Sequence, residues 1–144
     1  MRFWDASALV PLLVEQAHSK RCRQLVRADP RLIVWTLTRT EIVSALWRVH
    51  RDGVLDREDV AHAERRLNVL ARKWTEVDAV LPVREQAERL LRVHSLRAAD
   101  ALQLGAAVIA VAHRPRGQAF VCLDDRLSLA ADAEGFAVQR PGTR

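Results

Sequence analysis

The chain predicts an α/β fold, with a central, mainly parallel sheet covered by helices on both faces. Two observations carry this. Short apolar runs of strand length recur along the 144 residues, and segments with helical periodicity separate them. Strands that alternate with helices form parallel sheets through right-handed crossovers, and an unbroken apolar run suits a strand buried on both faces.

Residues 2 to 5, Arg2-Phe3-Trp4-Asp5, form the first strand. Ala6 to Leu13 follows as a short helix that runs into a second, Gln16 to Ala28, before Asp29-Pro30 breaks the chain. Leu32-Ile33-Val34-Trp35 is the second strand, and an amphipathic helix from Arg39 to His50 ends at the Asp52-Gly53 turn. Asp56 to Lys73 is helical too, with Val60, Ala63, Leu67 and Leu70 along one face. These consecutive helices interrupt strict alternation and are placed to form one wall of a groove. Trp74 to Val80 alternates as a third strand, and Pro82 suits the first turn of the next helix, where no N–H is needed. Ser95 to His113 is a further helix and Arg114-Pro115-Arg116-Gly117 a loop. Phe120 to Leu123 is a fourth buried strand, Arg126 to Ala133 a short helix and Phe136 to Val138 an edge strand. No repeat, low-complexity tract or linker divides the chain, so residues 1–144 are expected to be a single domain.

Half the residues are apolar, enough to bury roughly two-thirds of the unfolded surface. The start, Met1-Arg2-Phe3-Trp4-Asp5, is too short and too soon charged for a signal peptide, and the apolar stretch Ala101 to Ala112 falls short of the roughly 20 residues of a membrane span. Cys22 and Cys122 stand alone, as reduced thiols of a cytoplasmic protein do. The net charge of +5 is carried almost wholly by arginine. Arg48, Arg65, Arg97 and Arg114 are among those that offer phosphate contacts, although each also suits an ordinary helix surface.

Four acids share one kind of place. Asp5 and Asp124 each follow an apolar strand, while Glu41 and Asp100 lie early in amphipathic helices. In an open parallel sheet, strand C-termini and helix starts share a rim where ligands bind. Singly, each acid has a structural use. Thr38-x-x-Glu41 matches a capping box, Asp124 or Asp125 could cap the helix through Ala133, Asp5 or Ser7 the helix near Ala8, and Asp100 suits a helix N-terminus. Together they are costly, because two carboxylates about 4 Å apart repel by roughly 4 kcal/mol at an effective dielectric of about 20. Raised pKa values or a bound cation must neutralise them. An all-oxygen donor set favours Mg2+, with Mn2+ as a substitute, over zinc. Such an ion activates water against phosphodiesters, and the basic surroundings suit a nucleic acid. No G-x-x-x-x-G-K-[ST] or G-x-G-x-x-G phosphate cradle is present.

Through these residues the chain resembles the PIN-domain ribonucleases, most closely the VapC toxins of type II toxin–antitoxin systems. Asp5-Ala6-Ser7-Ala8-Leu9 is similar to the opening D-x-S-x-[LI], and Glu41-Ile42-Val43-Ser44-Ala45 to E-[IV]-x-x-[AL]. Leu96-Arg97-Ala98-Ala99-Asp100-Ala101-Leu102-Gln103-Leu104 is similar to L-x-x-x-D-A-L-[HQ]-L, and Phe120 to Leu127 to F-V-[TS]-x-D-x-x-L. The resemblance runs nearly end to end and implies a three-layer α/β/α PIN-like fold with metal-dependent endoribonuclease activity. It makes Asp5, Glu41, Asp100 and Asp124 catalytic, with Asp5, Asp100 and Asp124 as metal ligands, and Ser7 holding Asp5 or a metal-bound water. Arg48 and Arg97 are the expected substrate contacts. The fourth acid falls to Asp124, which directly follows the strand, with Asp125 as the cap. The resemblance also implies a homodimer and a VapB-type antitoxin whose C-terminal tail crosses the acidic groove; Trp47 would anchor that tail or pack in the core. A non-catalytic RNA- or protein-binding module on the same fold is the alternative. A receiver-type domain is weaker, since Ser7 stands where a second aspartate belongs and no lysine follows Lys73.

Overall fold

In a computed structural model, which describes residues 1–142, five short strands form one sheet. They are β1 (Arg2–Trp4), β2 (Leu32–Trp35), β3 (Thr75–Val77), β4 (Ala119–Val121) and β5 (Ala137–Gln139), in the order β3-β2-β1-β4-β5. Every pairing is parallel, with Phe3 opposite both Ile33 and Phe120. Successive side chains of a strand point to opposite faces. Phe3, Ile33 and Phe120 therefore enter one core, and Trp4, Val34 and Val121 the other. That is why the central strands read as unbroken apolar runs.

Helices α1 (Ala6–Leu13), α2 (Ser19–Ala28), α3 (Thr38–Arg51) and α4 (Arg57–Ala71) close the Trp4 side through Leu9, Leu25, Ile42 and Leu67. Helices α5 (Val80–Val93), α6 (Ala98–Ala110) and α7 (Asp125–Ala133) close the Phe3 side through Leu90, Leu104 and Leu127. Each such large apolar side chain contributes roughly 1.5–3 kcal/mol on burial. α5 and α6 pack closely at Gly105, where a Cβ would lie 2.9 Å from the Val83 carbonyl oxygen. Among the described residues, no helix is long and apolar enough to cross a membrane.

The structure trims several expected elements. α2 starts at Ser19 rather than Gln16 because Ser19 Oγ accepts the Gln16 N–H at 2.8 Å and makes a turn there. β3 stops at Val77, since the Val83 N–H bonds the Ala79 carbonyl and opens α5 two residues ahead of Pro82. α6 begins at Ala98, after an extended Arg97, and stops at Ala110 because Ala112 and His113 adopt positive φ. β5 lies one residue later than expected, at Ala137–Gln139.

From β1 the chain steps outward through β2 to β3, then returns to the other side of β1 to add β4 and β5. The order reverses between β1 and β4. A crevice opens beyond the carboxyl ends of strands at such a switch point, where the following loops part to opposite faces.

Candidate active site

β1 delivers Asp5 to this crevice. Its backbone N–H bonds the Val121 carbonyl at 3.0 Å, which ties the end of β1 to β4. Asp5 is extended and caps α1, accepting the Ser7 N–H at 3.0 Å and the Ser7 hydroxyl. Ser7 Oγ in turn accepts the Leu123 N–H at 2.9 Å, so one hydroxyl joins Asp5 to the segment that leads to Asp124. The Cys122 thiol also faces Asp5 Oδ2, at 3.7 Å, and burial pushes its pKa up to about 12, so it stays protonated. Only 4% of Asp5 is exposed. Burial raises its carboxyl pKa, the Ser7 hydrogen bonds oppose that rise, and the Asp100 charge adds to it.

Glu41 stands in the first turn of α3, but not in a capping box. Leu37 occupies the N-cap without a side-chain bond, and the Thr38 hydroxyl turns inward to Gln103. The Gln103 amide is fully buried; it donates to Thr38 Oγ1 at 3.0 Å and also hydrogen-bonds the Glu41 carboxyl. Burial raises the Glu41 pKa to about 7; the Gln103 bond opposes that shift, and the Asp5 and Asp100 charges reinforce it.

Asp100 lies in the first turn of α6 and accepts the Arg97 backbone N–H. Burial raises its pKa and the Asp124 charge adds to the rise, while the Arg97 and Arg126 guanidiniums pull it down. Asp124 itself caps α7, with Oδ1 accepting the Leu127 N–H at 2.8 Å. This corrects the expected division of labour at the pair. Asp125 is the first residue of α7, exposed and bonded to Arg140, so Asp124 is both the cap and the acid facing the crevice.

All four acids line one pocket of about 480 Å³, together with Ser7 and Arg48. Arg97 is placed next door, in a pocket of about 510 Å³ that shares Asp100 and Asp124 with the first. Trp47 lies outside both. Its indole N–H donates to Glu64 at 3.1 Å and its ring meets His50 edge-on, so it serves the contact of α3 with α4. A third cavity of about 470 Å³, between α1, α2 and α4, is apolar with a basic rim and holds none of the acids.

The donor set fits a hard divalent cation. It is all oxygen, and three of its carboxyls are raised by burial and by neighbouring charge, which a cation would relieve. Among the described residues no three His, Cys, Asp or Glu side chains form a ready-made cage. An open, acid-lined pocket suits an ion that keeps several waters, as Mg2+ does. Gln103 and Arg126 are the site-side residues that sequence reasoning missed. Gln103 could have been noticed as the one polar side chain in the apolar stretch from Ala101 to Ala112.

Residues 2–132 match the PIN domain family. The chain belongs to that family. Ribonuclease VapC45 of Mycobacterium tuberculosis (strain CDC 1551 / Oshkosh) is 30% identical over 136 residues, covering 94% of this chain and 92% of the relative. The PIN fold is shared with the structure of FitAcB from Neisseria gonorrhoeae, with a TM-score of 0.67, 17% identity and 98% of both chains covered. A toxin-antitoxin complex from Klebsiella pneumoniae has the same fold, with a TM-score of 0.62, 14% identity and coverage of 86% of this chain and 87% of that one. In this PIN domain the acidic pocket lies at the reversal of strand order.

Proposed function

We propose that this PIN domain is the toxin of a type II toxin–antitoxin system, a cytoplasmic endoribonuclease that hydrolyses RNA phosphodiester bonds with Mg2+ or Mn2+. The observation that carries the reading is the convergence of Asp5, Glu41, Asp100 and Asp124 on one pocket beyond the strand ends. The ribonuclease named among its relatives supports it. Asp5, Asp100 and Asp124 would hold the ion, which supplies Lewis acidity toward the phosphodiester and acidifies water. Ser7 and the end of β4 fix the direction of the Asp5 carboxylate. Glu41, near 7, is matched to receive the proton that an attacking water releases at neutral pH. Arg48 and Arg97 neutralise substrate phosphates on the rim.

The same reading supplies two protein partners, a second copy of the chain and a VapB-type antitoxin. The antitoxin is supported by the toxin–antitoxin complex among the structural neighbours. Leu12, Val26 and Val69 in the third cavity, with Arg27, Arg65 and Lys73 at its rim, suit an amphipathic acidic segment of that partner. Trp47, tied to Glu64, is better suited to packing than to anchoring a tail. Nothing in the site favours a purely binding module, which would bear the cost of burying Asp5 and Glu41 without using them.

The deciding experiment incubates cellular RNA with antitoxin-free protein in Mg2+ or Mn2+, beside a chelated control and Asp100→Asn, and maps the new 5′ ends. Discrete cuts that require both metal and Asp100 support the nuclease. Cutting that survives Asp100→Asn, or no cutting by metal-binding protein, overturns it.

A further inference from the structure

Ala99, Asp100 and Asp124 line both the pocket that holds all four acids and the neighbouring one that holds Arg97, Asp125 and Arg126. Asp100 and Asp124 thus stand between two lobes, and each lobe carries arginine. Arg48 belongs to the first lobe, and Arg97 and Arg126 to the second. Resting on the ribonuclease reading, we infer that the Arg97–Arg126 lobe is a second phosphate subsite, which seats the phosphodiester beside the scissile one.

Three features of the lobe support this. Both guanidiniums are exposed, and neither forms a salt bridge among the described residues, so their donors are available to a ligand. Of the three carboxylates that line this lobe, Asp125 is paired with Arg140, while Asp100 and Asp124 face the acidic pocket, where a bound cation would offset their repulsion of a phosphate. Finally, α6 and α7 both start at this lobe, so their N-terminal dipoles favour an anion there alongside the two guanidiniums. A competing use of Arg97 and Arg126 is simply to offset Asp100, whose carboxyl both of them pull down. The two uses differ in their salt dependence. A guanidinium that neutralises a phosphate releases counterions on binding, whereas one that only balances Asp100 does not.

A strand seated in both lobes presents an internal phosphodiester to the acids, which makes the enzyme an endonuclease by geometry. The test uses Asp5→Asn protein in Mg2+, so that RNA is bound without being cut, and follows a fluorescein-labelled oligouridylate by anisotropy over a range of salt. Arg126→Gln, added to that background, is expected to weaken binding about five- to tenfold and to flatten the slope of log affinity against log salt by about 0.7. Arg126→Lys should keep the slope. Arg31→Gln, just before β2 and so at the opposite end of the strands from the acids, should change neither quantity. An unchanged slope in Arg126→Gln, with or without lost affinity, overturns the subsite but leaves the ribonuclease reading standing. An Asp5→Asn parent that binds no RNA at any salt overturns both.

Discussion

Asp5 does two jobs that pull its carboxyl in opposite directions. As the cap of α1 it accepts two hydrogen bonds from Ser7, which favour the charged form, while its burial and the nearby Asp100 favour the neutral one. Asparagine retains a side-chain oxygen for the cap but carries no charge. Asp5→Asn is therefore expected to lose RNA cleavage while gaining about 1 kcal/mol, seen as a melting temperature higher by about 2–4 °C in metal-free buffer. A lower melting temperature would mean that the cap outweighs the repulsion. Gln103 makes the opposite case, a neutral residue whose loss should be costly. Gln103→Leu leaves the buried Thr38 hydroxyl without its partner and frees Glu41, so denaturant unfolding should show a loss of about 1–3 kcal/mol. Cleavage should fall in kcat more than in KM, because Glu41 would be misplaced for proton transfer rather than for binding. The acids were legible in the sequence because each adjoins a strand end or a helix start, positions that topology alone brings to one rim. The meeting of Gln103 with Thr38 was not: Gln103 stands out as the one polar side chain of its apolar stretch, but its partner depends on how α6 sits against α3, which no local pattern encodes.

Helix α6 transmits packing to chemistry. It carries Asp100 at its start and Gly105 at a close approach to α5, where a Cβ would press on the Val83 carbonyl and, at 3.1 Å, on the Ala87 nitrogen. Alanine is the better helix former by about 1 kcal/mol, yet backbone atoms cannot swing aside as a flexible side chain can. The clash should win. Gly105→Ala is expected to lower unfolding free energy by about 1–3 kcal/mol and to reduce cleavage as α6 moves Asp100; a variant more stable than the parent in urea would refute the packing argument. The order and type of the elements could be read from the sequence because period and turn residues agree along the chain. Element ends were less legible. Where α2 and β3 stop or start depends on the Ser19–Gln16 turn and on the Val83–Ala79 bond, choices that apolar periodicity does not report. The capping box lay elsewhere than Thr38 suggested, at Asp56 and Asp59 of α4, whose side chains each accept the other's N–H.

At the scale of the whole molecule the acidic pocket sets how stability responds to pH. The Glu41 carboxyl rises from its ordinary 4.5 to about 7, and Asp5 and Asp100 move in the same direction. Between those two pH values the folded protein holds protons that the unfolded chain has released, so stability must fall as pH rises. Burial is the leading cause at each of the three, and the charge of another acid deepens it. Elsewhere the sign reverses. Hydrogen bonds from Arg31 and the N-terminal ammonium hold the Asp29 carboxyl well below the usual range, and Arg89 and His94 lower Glu134, so these groups stabilise the fold above their ordinary pKa values and lose that contribution in acid. Metal-free protein should therefore be most stable near the lower end of the window, with a melting temperature that declines from pH 4.5 toward 7. Mg2+ should reverse the decline, because an ion that binds only the folded, deprotonated pocket displaces its protons and stabilises by mass action. Melting curves across this range, with chelator and with Mg2+, check both halves. If the chelated protein instead grows more stable toward pH 7, the acids are neither buried enough nor close enough to hold their protons, and the charge argument for a cation at this pocket fails.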